Sequence, residues 1–146
     1  MTVSFTVAGI PQSKGSKNQF GGESNPKVKP WQATIAADAQ HAMNGREPYA
    51  GPVQVSARFY WPRPKAHYRT GKHAQTLKAS AAYWKATMPD IDKCARALLD
   101  AMQGIVVRND AQVATLILQK RFGSPRVEVV VSECGPVEGS DGEAGA

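Results

Sequence analysis

Four aspartates, Asp90, Asp92, Asp100 and Asp110, lie in the segment PDIDKCARALLDAMQGIVVRNDAQV at positions 89–113, and they are the only acidic residues between Pro48 and Val127. The run from Pro48 to Pro89 carries seven bases (Arg58, Arg63, Lys65, Arg69, Lys72, Lys78 and Lys85) and no acid. Carboxylates gathered inside a basic stretch are what a hard cation requires. Mg2+ takes oxygen ligands in near-octahedral geometry, with one or two from protein carboxylates and the rest from water or phosphate. Each acid also has a plainer local role. Asp90 after Pro89 suits a helix N-cap, and Asp92 in the first turn complements the helix dipole. Asp100 lies four residues after Arg96, the spacing of a helical ion pair, and Asp110 after Asn109 suits a turn. Any one of these roles is adequate alone. Four acids together in an otherwise acid-free basic field favour the metal.

The remaining charge points to a polyanion. The chain has 18 lysines and arginines against 12 acids, a formal net charge of +6. Three of those acids sit in the segment GPVEGSDGEAGA (135–146), which has no base and four glycines and reads as a flexible acidic tail; without it, 18 bases stand against 9 acids. An ordinary surface mixes both signs. A phosphate-rich partner accounts for the imbalance, because each Lys or Arg paired to a phosphate releases a bound counterion. Positions 62–80 read as a long basic loop. Here Arg63, Lys65, Arg69 and Lys72 interleave with Trp61, His67, Tyr68 and His73, a composition suited to phosphates and unstacked bases. Lys14 and Lys17 in QSKGSK offer a second phosphate grip.

The elements that must hold these groups follow from periodicity. Thr2–Ala8 alternates apolar and polar residues, as a half-buried strand does. Helical spacing of Trp31, Ile35, Ala39 and Ala42 or Met43 predicts a helix over 30–44, starting at Pro30 and leaving at Gly45. Val53–Trp61 is a strand with Val53, Val55, Ala57 and Phe59 on one face. A second helix over 91–103 would put Ile91, Ala95, Leu98 and Met102 within about 60° of one another, facing the core. Asp92, Arg96 and Asp100 then form a polar stripe at the edge of that face. Residues 112–122 and 126–134 read as a closing pair of strands joined by Gly123-Ser124-Pro125. The expected architecture is a single α+β domain over 1–134 with a mixed sheet and two main helices.

Some classes fall away. The composition, 42% hydrophobic and 21% charged, is that of a folded globular domain. No apolar run approaches the roughly 20 residues that span a bilayer, and the N-terminus lacks a secretory pattern, so a cytoplasmic location is expected. Cys94 and Cys134 belong to no C-x-x-C pair, and the three histidines show no zinc spacing. A PD-(D/E)-x-K nuclease site would need a downstream acid-x-Lys, which Leu118-Gln119-Lys120 does not supply.

The pattern Asp90-x-Asp92-Lys-x-x-Arg96-x-x-x-Asp100-Ala-Met, followed by Val107-x-Asn109-Asp110-Ala-Gln-Val113, resembles the RusA family of Holliday-junction resolvases. That family's signature is D-x-D-N-x-x-K, a D-A-L helix continuation, then D-D-x-Q-V. The resemblance implies a homodimeric endonuclease, common in phages and prophages, working in bacterial or phage-infected cells. It would depend on Mg2+, with Mn2+ standing in, and cut four-way DNA junctions by paired incisions. It also implies that Asp90, Asp92 and Asp110 bind the metal and that Asp100 is a further acidic position. Arg96 stands where the family has a lysine. Its guanidinium keeps the positive charge but is no proton donor at neutral pH. Lys93 and Asn109 depart from the signature's Asn and first Asp. The rival expectation is a basic nucleic-acid-binding module whose aspartates serve only the helix.

Overall fold

The computed structural model describes residues 1–16 and 19–136; Lys17 and positions 137–146 of the expected tail fall outside the described residues. Strand β1 (Thr2–Ala8) alternates as its sequence does and buries Val3 and Val7. Helix α1 (Val28–Met43) buries Trp31, Ile35, Ala39 and Met43 at successive turns. It stops where Asn44 adopts a left-handed conformation (φ 50°) and donates its N–H to Gln40 O. Strand β2 (Val53–Trp61) buries Val53, Val55, Ala57, Phe59 and Trp61 on one face. Helix α2 (Ile91–Met102) follows, then strands β3 (Val113–Phe122) and β4 (Arg126–Glu133), the last burying Val127, Val129 and Val131.

These elements make one α+β domain with a mixed sheet in the order β1-β4-β2-β3. β4 is antiparallel to both β1 and β2, whereas β2 and β3 run parallel. The register sets Val3 beside Val131, Val55 beside Val131 and Ala57 beside Val129. All the inward valines therefore share the face on which the helices lie. Ile35, Leu98, Met102 and Phe59 are wholly buried in the common core.

Two expectations change. β3 and β4 are consecutive but are not neighbours, because β2 lies between them. The three residues 123–125 carry the chain over the end of β2 instead of closing a hairpin. Gly123 donates its N–H to Trp61 O at 2.9 Å, and a Cβ at Gly123 would meet the Tyr60 ring at 3.1 Å. The inward side of α2 is also rotated from the expected one. Cys94, Ala95, Ala97, Leu98 and Met102 are buried, while Ile91 is only half-buried. The small side chains of Cys94 and Ala97 let the helix approach its neighbours closely, and Gln32 Nε2 of α1 donates to Ala97 O at 3.1 Å.

Among the described residues no helix is long and apolar enough to cross a membrane. Leu98 anchors α2 in the core, and truncating such a side chain removes transfer energy and leaves a cavity. Leu98→Ala is expected to lower unfolding stability by about 2–5 kcal/mol, measured by urea denaturation.

Candidate active site

Asp92 stands in the first turn of α2, as its position suggested, but Asp90 and Asp100 do not make the local contacts their positions offered. Asp90 occupies the N-cap position in extended conformation, but its side chain makes no capping hydrogen bond. Its carboxylate lies 3.9 Å from Lys93 Nζ. Asp100 is not paired with Arg96. It accepts from Lys14 Nζ at 3.0 Å, a contact across 86 positions of sequence. The segment bearing Lys14 is itself tied down, since Lys14 N–H donates to Lys93 O and Pro11 O accepts from Trp61 Nε1, both at 3.2 Å.

Asp110 opens a single 3-10 turn, Asp110–Gln112, that leads into β3. Asn109 caps this turn by accepting from Ala111 N–H at 2.8 Å. Gln112 Oε1 accepts from the N–H groups of Arg108 and Asn109 at 2.8 and 2.9 Å. Its amide nitrogen donates to Tyr49 O and Gly51 O ahead of β2. The departure at Asn109 thereby has a physical account, because the cap needs one side-chain oxygen, which Asn and Asp both provide.

Asp92, Arg96, Asp100 and Asp110 line one hollow of about 260 Å³, floored by Leu116 and Leu118. A neighbouring hollow of about 540 Å³ is lined by Asp90, Asp92, Trp84, Lys85, Leu118 and Lys120. Asp92 stands on both. Among the described residues no three acidic, histidine or cysteine side chains are close enough to cage a metal. The donor set is oxygen alone: Cys94 is buried, and desolvation pushes its thiol up to about 12, so it offers no thiolate. Such donors fit a hard cation that keeps much of its water and is held by one or two carboxylates, and they do not fit a zinc cage.

The structure adds cations that periodicity did not reveal. Lys120 is on the core-facing side of β3, in register with Phe59. Its ammonium donates to Thr87 O at 2.5 Å and to Pro89 O at 2.7 Å, bracing the backbone that presents Asp90. Lys85 lies over the rings of Trp61 and Phe122 at 5.5 and 5.7 Å. Burial, then the nearby Lys120 charge, pulls its pKa below that of an ordinary lysine. A lysine at an inward strand position was the signal for Lys120; for Lys85 there was none.

The basic loop is partly ordered by its own residues. It contains two short 3-10 turns, Lys65–His67 and Gly71–His73, and folds back so that Arg69 N–H donates to Thr76 O. Arg63 is a brace: it donates to Ala82 O at 2.6 Å and lies over the Phe122 ring at 4.7 Å. Lys65, Arg69 and Lys72 are exposed. Trp61, expected among the base-contacting aromatics, is a core residue only 6% exposed, because it ends the inward face of β2.

A protein-family comparison matches residues 8–132 to the family described as Endodeoxyribonuclease RusA. The match spans both helices, β2, β3 and β4 up to Ser132, and includes all four aspartates of the cluster. The chain belongs to the RusA family of endodeoxyribonucleases. It is also similar to YqaN, an uncharacterised protein of Bacillus subtilis (strain 168), with 29% identity over 144 residues, covering 90% of this chain and 96% of that protein.

The capping geometry gives a direct expectation. Asn109→Ala removes the acceptor and should cost about 1 kcal/mol in stability, while Asn109→Asp, which keeps it, should change stability by less than about 0.5 kcal/mol. Chemical denaturation of the two variants checks both.

Proposed function

We propose that the protein is a metal-dependent, structure-selective endonuclease that resolves four-way and related branched DNA by paired phosphodiester incisions. The observation that carries this reading is the arrangement of Asp92, Arg96, Asp100 and Asp110 around one hollow, with Asp90 beside it, in a chain of an endodeoxyribonuclease family. One or two of the carboxylates of Asp90, Asp92, Asp100 and Asp110 would hold a largely hydrated Mg2+ or Mn2+, which when bound supplies polarisation of the scissile phosphate and a lowered pKa for the attacking water. Arg96 lies on the same wall as Asp92 and Asp100 and stabilises negative charge on the phosphoryl oxygens as the transition state forms. A guanidinium suits that role, being always charged and able to meet two oxygens at once. Lys14 offsets the charge of Asp100 and keeps the acidic wall from repelling the phosphate. Lys120 and Lys85 extend positive charge along the neighbouring hollow.

Binding and cutting reside in different residues. Lys65, Arg69 and Lys72, with the braced Arg63, supply phosphate contacts outside the acidic wall. One domain carries one such site, and a junction has approximate two-fold symmetry, so two chains are needed to place two cuts. A closed two-fold dimer is the simplest assembly that does so.

Asp92→Asn and Asp110→Asn are expected to reduce Mg2+-dependent nicking of a four-way junction by about 100-fold or more, an expectation based on the loss of a metal-bound charge. Both should bind the junction as tightly as wild type or more so, since a negative charge has left a DNA-facing surface. Binding without cleavage by the wild type in Mg2+ or Mn2+ would instead identify a non-catalytic basic module. Replacing Lys65, Arg69 and Lys72 together should flatten the log–log salt dependence of binding by roughly one unit for each phosphate no longer neutralised. Light scattering should give a dimer; a monomer making paired cuts on one junction molecule would refute the two-chain arrangement.

A further inference from the structure

Beside the acidic wall the chain exposes two large aromatic side chains that the nuclease chemistry does not use. Tyr83 is 60% exposed and Trp84 is 52% exposed. Their rings meet edge to face, with centroids 5.2 Å apart and planes inclined at 75°. Both are fixed from behind. The Trp84 backbone bridges to Arg121 on the outer edge of β3, and Lys85 N–H donates to Lys120 O. Arg121 Nη2 donates to the Tyr83 hydroxyl at 2.5 Å, and its guanidinium lies 5.3 Å from the Tyr83 ring and 5.9 Å from that of Trp84. Trp84 also lines the hollow that holds Asp90, Asp92, Lys85 and Lys120.

This combination has a specific chemistry. An exposed indole backed by a guanidinium offers a π-face in a positive field, the arrangement on which nucleobases stack irrespective of their identity. The adjoining hollow, about 540 Å³, is of small-ligand size and too small for a duplex. A paired base shows only its edges in the grooves. Its face becomes available only when it is unstacked, which costs least at a branch, a mismatch or an already single-stranded position. We infer that Tyr83 and Trp84, backed by Arg121, form a stacking platform for an unpaired nucleobase flanking the phosphate to be cut. This deepens the nuclease reading and rests on it: the platform would make cleavage depend on branched structure, whereas Lys85 and Lys120 would hold the backbone of the same nucleotide.

The test changes the DNA as well as the protein, so it does not depend on any variant folding. Affinity and Mg2+-dependent nicking are measured on a four-way junction carrying an unpaired thymine at the branch, and on the same junction with that base replaced by a tetrahydrofuran abasic residue. Wild type should prefer the base-bearing junction by about 10-fold, in the range of one stacked base. Trp84→Ala and the Tyr83→Ala/Trp84→Ala pair should bind both junctions equally, at the abasic level, whereas Trp84→Phe should keep most of the preference. The variants' urea midpoints report whether the fold is intact. Equal wild-type affinity for the two junctions overturns the platform, as does undiminished discrimination by Trp84→Ala. A change of mass in light scattering with discrimination intact would also overturn it, marking a chain–chain contact instead. If wild type discriminates between the junctions but cuts neither, the platform stands and the nuclease reading falls.

Discussion

Leu98 and Met102 are fully buried in the core, and that burial sets the rotation of α2 about its own axis. Everything chemical in the molecule follows from it. With those side chains inward, Asp92, Arg96 and Asp100 must emerge on one side at successive turns, toward the edge of β3. The parallel pairing of β2 with β3 then decides how Asp110 arrives. β3 starts level with Val53, so the turn before it delivers Asp110 to the flank of the helix at its Asp92–Asp100 side. A rotation of one residue step would send the carboxylates to different walls.

Bringing like charges together is opposed by Coulomb repulsion, and the structure tempers this with cations drawn from elsewhere. Lys14 faces Asp100, Lys93 lies near Asp90, and Lys85 and Lys120 border the same hollow. These groups are partly solvent-exposed, where an ion pair contributes only about 0–1 kcal/mol. Their importance is therefore geometric more than energetic. The Lys14 contact places the segment after β1 against α2, and Lys120 holds the carbonyls of Thr87 and Pro89.

Local features were readable because local physics determines them. Apolar alternation located β1 and β2, and the three-and-four spacing of Trp31, Ile35, Ala39 and Met43 located α1 to within two residues at its start. The acids, dense in a basic field, were visible by composition alone, and the motif they form pointed to the family that the comparison then matched. What escaped notice depends on partners far along the chain. A Gly-Ser-Pro connection looks the same whether it closes a hairpin or passes over an intervening strand; the pairing of β2 with both β3 and β4 separates the two. Asp100 had a plausible partner at Arg96, and nothing in its neighbourhood named Lys14. Trp61 sits next to a basic loop in sequence yet belongs to the core, because inward alternation continues to the last residue of β2.

The threading of β2 between β3 and β4 has a temporal consequence. β4 supplies three inward valines to the common core, and it pairs on both sides with strands that precede it by more than sixty residues. Contacts of such long range delay the rate-limiting step of folding, since the connecting chain must be ordered before they form. On the ribosome, β1, α1, β2 and α2 therefore emerge without the central strand that unites them. A nascent or prematurely ended chain that lacks residues 126–133 therefore carries the four aspartates without the strand that joins β1 to β2, and the complete sheet behind the acidic wall closes last.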